Sequence, residues 1–84
     1  MSMPTMTIRV TNATFESAAP GDFDTLDEAY RAAVVAGLRI AADEVAAGAA
    51  SSVVEVAVDL VGQEDAVRGA VAASTARLVS STSS

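Results

Sequence analysis

The chain contains no cysteine, histidine, tryptophan or lysine. Without cysteine and histidine it has no disulfide, no thiolate or imidazole metal site and no Ser-His-Asp triad. All five basic residues are arginines, and eleven carboxylates give a net charge of −6. This balance argues against a surface for nucleic-acid phosphates. We therefore predict a non-enzymatic protein without cofactor, metal or nucleic-acid ligand.

Aromatic residues are also scarce, since only Phe15, Phe23 and Tyr30 are present, so the core must come from valine, leucine and isoleucine. The 84 residues predict one domain, residues 1–84, with flexible ends at 1–6 and 80–84. No segment approaches the roughly twenty apolar residues of a membrane span, and the N-terminus lacks a secretion-signal pattern. We expect a cytoplasmic protein that does not bind membranes.

The first strand is predicted within residues 7–17, where Ile8 and Val10 alternate with polar neighbours. Phe15 is out of phase with them. Either a bulge near Asn12 or a tight turn that makes a short hairpin would explain this, and the sequence leaves both open. The Pro-Gly pair within residues 18–22 is expected to form a turn that ends this region.

A long helix is predicted from Leu26 to Ala47, with Gly48 as its left-handed C-terminal residue. Glu44 projects onto its apolar stripe, so it must either reach water or pair with an arginine across an interface. The small and apolar residues of that stripe should lie on a sheet, and they are Leu26, Ala29, Tyr30, Ala33, Gly37, Ile40 and Ala41.

A second apolar strip follows the other side of this helix and has no predicted contact within the chain. We call it the helix strip, and it consists of Val34, Val35, Leu38 and Val45. A small monomer seldom leaves such a strip in water. These four residues are therefore the candidate interface, and they predict a homo-oligomer or a module that binds a protein partner.

Residues 53–61 alternate as a strand, whereas residues 66–79 fit either a strand or a helix. A hairpin is favoured, because a tip at Gln63 and Glu64 would place Leu60 opposite Val67 and Asp59 opposite Arg68. The fold class is then α+β, a small antiparallel sheet with one long helix on one face. The uncovered face would be polar or small and either solvated or packed on a second copy; it comprises Glu55, Ala57, Asp59, Arg68, Ala70 and Ala72.

Acidic residues are crowded into the stretch GDFDTLDEAYRAA, residues 21–33. They could form an oxygen cage for a cation, but the spacing lacks the glycine and the third Asp or Asn of an EF-hand loop. The same residues fit a capping box, in which Thr25 accepts from the backbone of Glu28 and Glu28 reaches back. Asp24 and Asp27 would then complement the positive end of the helix dipole. We favour the capping interpretation.

The run FDTLDEAYRAAVVAGLRIAADEVAAG, followed by VEVAVDLVGQEDAVRGAVAASTARL, resembles a family of small uncharacterised bacterial proteins. That family has a short strand, a long alanine-rich helix and a terminal hairpin that turns at a glycine, and it has no assigned activity. The stretch GDFDTLDEA is also similar, more faintly, to the GDTLEEA helix start of HicB-type antitoxins. This second likeness implies an antitoxin-like or regulatory protein, whose acidic surface would bind a basic protein partner.

Overall fold

Four strands and one helix make up the computed structural model, which describes residues 5–13 and 15–75. The elements, in chain order, are β1 (Thr5–Asn12), β2 (Phe15–Asp22), α1 (Leu26–Ala46), β3 (Ser51–Leu60) and β4 (Gln63–Ser74). All neighbouring strands are antiparallel, in the order β2-β1-β3-β4. Helix α1 packs on one face of this sheet, which confirms the α+β prediction.

The first two strands form a hairpin, which decides between the two alternatives for residues 7–17. Asn12 pairs with Phe15 at the closed end, and Thr5 pairs with Asp22 at the open end. The predicted turn at residues 18–22 was wrong, because Pro20 and Gly21 lie inside β2. Strand β2 is at the edge of the sheet, where a proline without an N–H is tolerated.

The chain ends were predicted to be flexible at residues 1–6 and 80–84. Strand β1 already begins at Thr5, and the Met6 side chain is buried in the core. Residues 1–4 and 80–84 lie outside the described part of the chain. The first strand therefore starts two residues before the predicted boundary at residue 7.

Small residues bring α1 close to the sheet. Ala29, Ala33, Gly37 and Ala41 are its buried positions, as the predicted stripe requires. The helix packs chiefly on β3 and to a lesser extent on β4 and β1. Gly48, just after the helix, has a φ of +120°, a conformation that glycine adopts readily. Within the described residues, no helix combines the length and the apolarity needed to cross a bilayer.

Strands β3 and β4 form the predicted hairpin, but with a different register. Val58, not Leu60, lies opposite Val67, and Leu60 pairs with Gln63 across a two-residue turn. A β-bulge after Val58 absorbs the extra residues of β4, and there Asp65 adopts a φ of +54°. The predicted register and tip at Gln63 and Glu64 were wrong. Because the error is two residues, each side chain of the paired region after the bulge keeps its predicted face.

The core lies between α1 and the sheet. Its largest fully buried side chains are Val54, Val56 and Val58 of β3, and Met6 and Val10 of β1 join them. None of these five is aromatic. The described residues therefore have a thin core, as the composition predicts.

Candidate interaction surfaces

The helix strip is accessible at its centre. Val35 is 48% exposed and Leu38 is 41% exposed, whereas Val34 and Val45 are half-buried. Val34 and Leu38 are one helical turn apart and form a continuous patch with Val35. The structure thus brings three of the four predicted residues together, and Val45 follows two turns after Leu38.

Tyr30 shows which way the helix strip faces. It precedes Val34 by one turn, and its hydroxyl oxygen lies over the backbone of β4 at Gly69. A Cβ on Gly69 would collide with that oxygen, so this strand position has to be glycine while Tyr30 keeps its place. The helix strip therefore runs beside β4, on the side of the helix away from β1.

A shallow hollow continues the helix strip toward the start of α1. It is lined by Asp27, Tyr30, Arg31, Val34 and Val35. The Arg31 Nε donates to Asp27 Oδ2 at 2.8 Å, and both side chains are largely exposed. An apolar patch with a charged pair on its rim is the usual composition of a protein-protein contact.

The free edge of β4 borders the same patch. β4 pairs with β3 along one edge and is the last strand of the sheet. From Gly69 to Ser74 it has neither a charged residue nor a proline. The opposite edge strand, β2, contains Pro20 together with Glu16 and Asp22. Because charge and proline discourage edge-to-edge pairing, the segment of β4 from Gly69 to Ser74 is less protected than β2.

The face of the sheet without the helix contains an ion-pair cluster around Arg9. Its Nε donates to Asp59 Oδ2 at 2.7 Å, and its Nη2 donates to Asp59 Oδ1 at 3.0 Å. The same nitrogen also binds Asp65, whose backbone N–H donates to Asp59 Oδ1 at 2.8 Å. Arg68 approaches Asp65 at 3.9 Å. The cluster ties β1, β3 and the bulge of β4 together.

These contacts lower the pKa of Asp59, chiefly through the hydrogen bonds from Arg9 and then through the N–H of Asp65. The hydrogen bond to Asp59 likewise raises the pKa of Arg9. A hollow of about 90 Å³ beside Arg9 and Arg68 is smaller than ligand pockets, which hold about 300–1,000 Å³. We therefore interpret the cluster as structural.

Sequence reasoning missed this cluster. Asp59 was expected to lie opposite Arg68 on β4. It binds Arg9 instead, because β3 also pairs directly with β1 on its other side. The alternation of Arg9 with Ile8 and Val10 already placed its side chain on the face away from the core. The order of the strands in the sheet could not be predicted from the sequence.

The acidic stretch before α1 caps the helix. Glu28 donates its backbone N–H to Thr25 Oγ1 at 3.1 Å, which confirms Thr25 as the N-cap. The Glu28 side chain reaches back to the N–H of Asp24 at 3.2 Å, one residue earlier than expected. In residues 5–13 and 15–75 no group of three or more acidic side chains is arranged to hold a metal ion.

The Glu44 side chain is half-buried, and in the described part of the chain it binds Asn12 and Ser52 instead of an arginine. Its two carboxylate oxygens accept from Asn12 Nδ2 at 3.0 and 3.1 Å, and Oε1 also accepts from the Ser52 hydroxyl. Asn12 ends β1 and Ser52 lies near the start of β3. Glu44 therefore fixes the last turns of the helix to one end of the sheet.

Comparisons of the chain with protein-family models, with curated proteins and with solved structures gave no match. Neither of the two likenesses noted in the sequence is tested by this result. The functional argument accordingly rests on the surfaces described above.

Proposed function

We propose that this chain is a non-enzymatic α+β domain that acts as a homo-oligomer, with the helix strip as its contact surface. The observation that carries the proposal is the exposure of Val35 and Leu38, at 48% and 41%, on a helix whose other face is already buried. Soluble monomers rarely expose large contiguous apolar patches, and such patches mark interaction sites. The valine and alanine core supports the same proposal, since so small a core gains much from additional burial.

The test is the mass of the protein in solution as its concentration rises. Self-association should raise the average mass from 8.4 kDa toward a multiple of that value between low and high micromolar concentration. A protein that stays at the mass of one chain throughout would contradict the proposal. Sedimentation equilibrium and light scattering both measure this quantity.

A second candidate function is an antitoxin-like or regulatory protein that binds a basic protein. It is favoured by the net charge of −6 and by the exposed carboxylates of Glu16, Asp24, Glu28 and Asp43. Binding of this kind weakens steeply when salt is added. Self-association through the helix strip should instead strengthen with salt, because salt screens the repulsion between two acidic chains. The sign of the salt dependence therefore separates the two candidates.

A further inference from the structure

We infer that the partner of the helix strip is a second copy of this chain, joined to the first by antiparallel pairing of the two β4 edges. This inference rests on the proposed self-association and adds its geometry. The pairing would extend the two four-stranded sheets into one sheet of eight strands. A two-fold axis perpendicular to the sheet would then pass close to Val71.

The position of the axis follows from α1 and β4 together. Gly37 lies over the boundary between β3 and β4, because a Cβ added there would be 2.9 Å from both Val56 Cγ1 and Val71 Cγ2. The next residue, Leu38, is the centre of the helix strip and is therefore level with Val71. Val71 is also near the middle of the uncharged segment from Gly69 to Ser74. A single two-fold axis near Val71 would thus pair the two β4 edges and also bring the two helix strips next to each other.

Charge complementarity favours a second copy as the occupant. The axis makes the two helices antiparallel, so Arg31, seven residues before Leu38, lies beside the last turn of the other helix. That turn contains no basic residue, and it is the negative end of the helix dipole. The Arg31 side chain is 78% exposed and could approach them. Each copy would thus place the positive charge of Arg31 beside the last turn of the other helix, which has no basic residue of its own.

The contact is small. Seven residues of β4, from Arg68 to Ser74, would pair over about 24 Å of strand length. Such a narrow contact, even with the helix strips added, falls toward the lower end of stable interfaces, which bury about 800 Å² from each partner. We therefore expect a dissociation constant in the micromolar range.

Cross-linking locates the interface, because the chain has no cysteine of its own. With the axis at Val71, the Cα atoms of the two Ala72 residues would be about 8 Å apart. Ala72→Cys should therefore form a covalent dimer with a short bis-maleimide. Ala18→Cys is the matched control, since Ala18 is also exposed on the helix-free face, but on the opposite edge strand β2. Its two copies would be more than about 30 Å apart in the dimer, so the reagent should not cross-link them.

A second pair of variants tests the helix strip at equal charge. Leu38→Glu should weaken dimerisation at least tenfold, whereas Val53→Glu, on the helix-free face, should leave it unchanged. Both residues are exposed, at 41% and 60%, so both variants should fold, and circular dichroism checks this. The edge pairing would be overturned if Val53→Glu lost the dimer and Leu38→Glu kept it. It would also be overturned if Ala18→Cys were cross-linked and Ala72→Cys were not. In both cases the protein would still self-associate. A strictly monomeric wild type would instead overturn the proposed function itself.

Discussion

At the scale of single residues, two glycines set the distance between helix and sheet. Gly37 allows α1 to approach Val56 and Val71, and Gly69 makes room for the hydroxyl of Tyr30. Neither has a positive φ that would itself require glycine. Their role is close approach, which a sequence can suggest through a glycine within a strand or helix but cannot assign to a particular neighbour.

Gly37→Ala should destabilise the protein. Alanine gains about 1 kcal/mol of helix propensity over glycine. The new methyl group would lie 2.9 Å from both Val56 Cγ1 and Val71 Cγ2, and such overpacking costs about 1–3 kcal/mol. We expect a net loss of about 1 kcal/mol in urea denaturation. Ala42→Gly, at an exposed helix position, measures the propensity alone; a more stable Gly37→Ala variant would show that the helix does not lie this close.

Asp59→Asn should reduce stability at neutral pH by about 1–2 kcal/mol, because it removes the charged acceptor for Arg9. The folded protein lowers the pKa of Asp59 below its ordinary value of 3.8, so the carboxylate stabilises the fold above that pH. Its contribution is lost as the pH falls through the lowered value. The difference between wild type and variant should therefore shrink as the pH falls below 3.8, and it should disappear once the carboxylate is protonated in both the folded and the unfolded state.

Thermal melts from neutral to acidic pH measure this difference. Glu55→Gln neutralises another carboxylate on the same face of β3 and is the matched control, with little effect expected at any pH. A difference between Asp59→Asn and wild type that stays constant down to the lowest pH would show that the ion pair does not stabilise the fold.

At the scale of elements, local patterns predicted α1 and β3 well because their information is contained in neighbouring residues. The buried positions of α1 recur every four residues, and the first turn begins at Thr25 as a capping box does. The alternation of residues 53–61 likewise predicted a strand, which the structure has as Ser51–Leu60. What the sequence could not predict was non-local. The pairing of β1 with β3 and the bulge at Asp65 depend on contacts between distant segments, so the Arg9 cluster was missed.

Thr25→Ala should cost about 1 kcal/mol, since it removes the acceptor for the N–H of Glu28. Thr25→Ser keeps a hydroxyl and should retain most of that stability. Chemical denaturation of both variants measures the effect. Equal stability of the alanine and serine variants would mean that the hydroxyl does not cap the helix in solution.

At the scale of the whole molecule, an acidic surface, a thin core and one apolar flank have to be reconciled. The net charge of −6 keeps chains apart at long range, whereas the flank formed by the helix strip and by residues 69–74 of β4 has no charged residue to oppose contact. The candidate interface was predictable from sequence because helical periodicity placed Val35 and Leu38 away from the sheet. The continuation of this candidate interface onto β4 could not be predicted from the sequence, because it depends on which strand lies at the edge of the sheet.

The central claim is that the protein self-associates through the helix strip and the β4 edge. Its most direct test is sedimentation equilibrium of the wild-type protein from low to high micromolar concentration, at low and at raised salt. We expect the average mass to rise from 8.4 kDa toward twice that value, and to rise at lower concentration when salt screens the acidic charges. A mass that stays at 8.4 kDa at every concentration and both salt levels would contradict the claim.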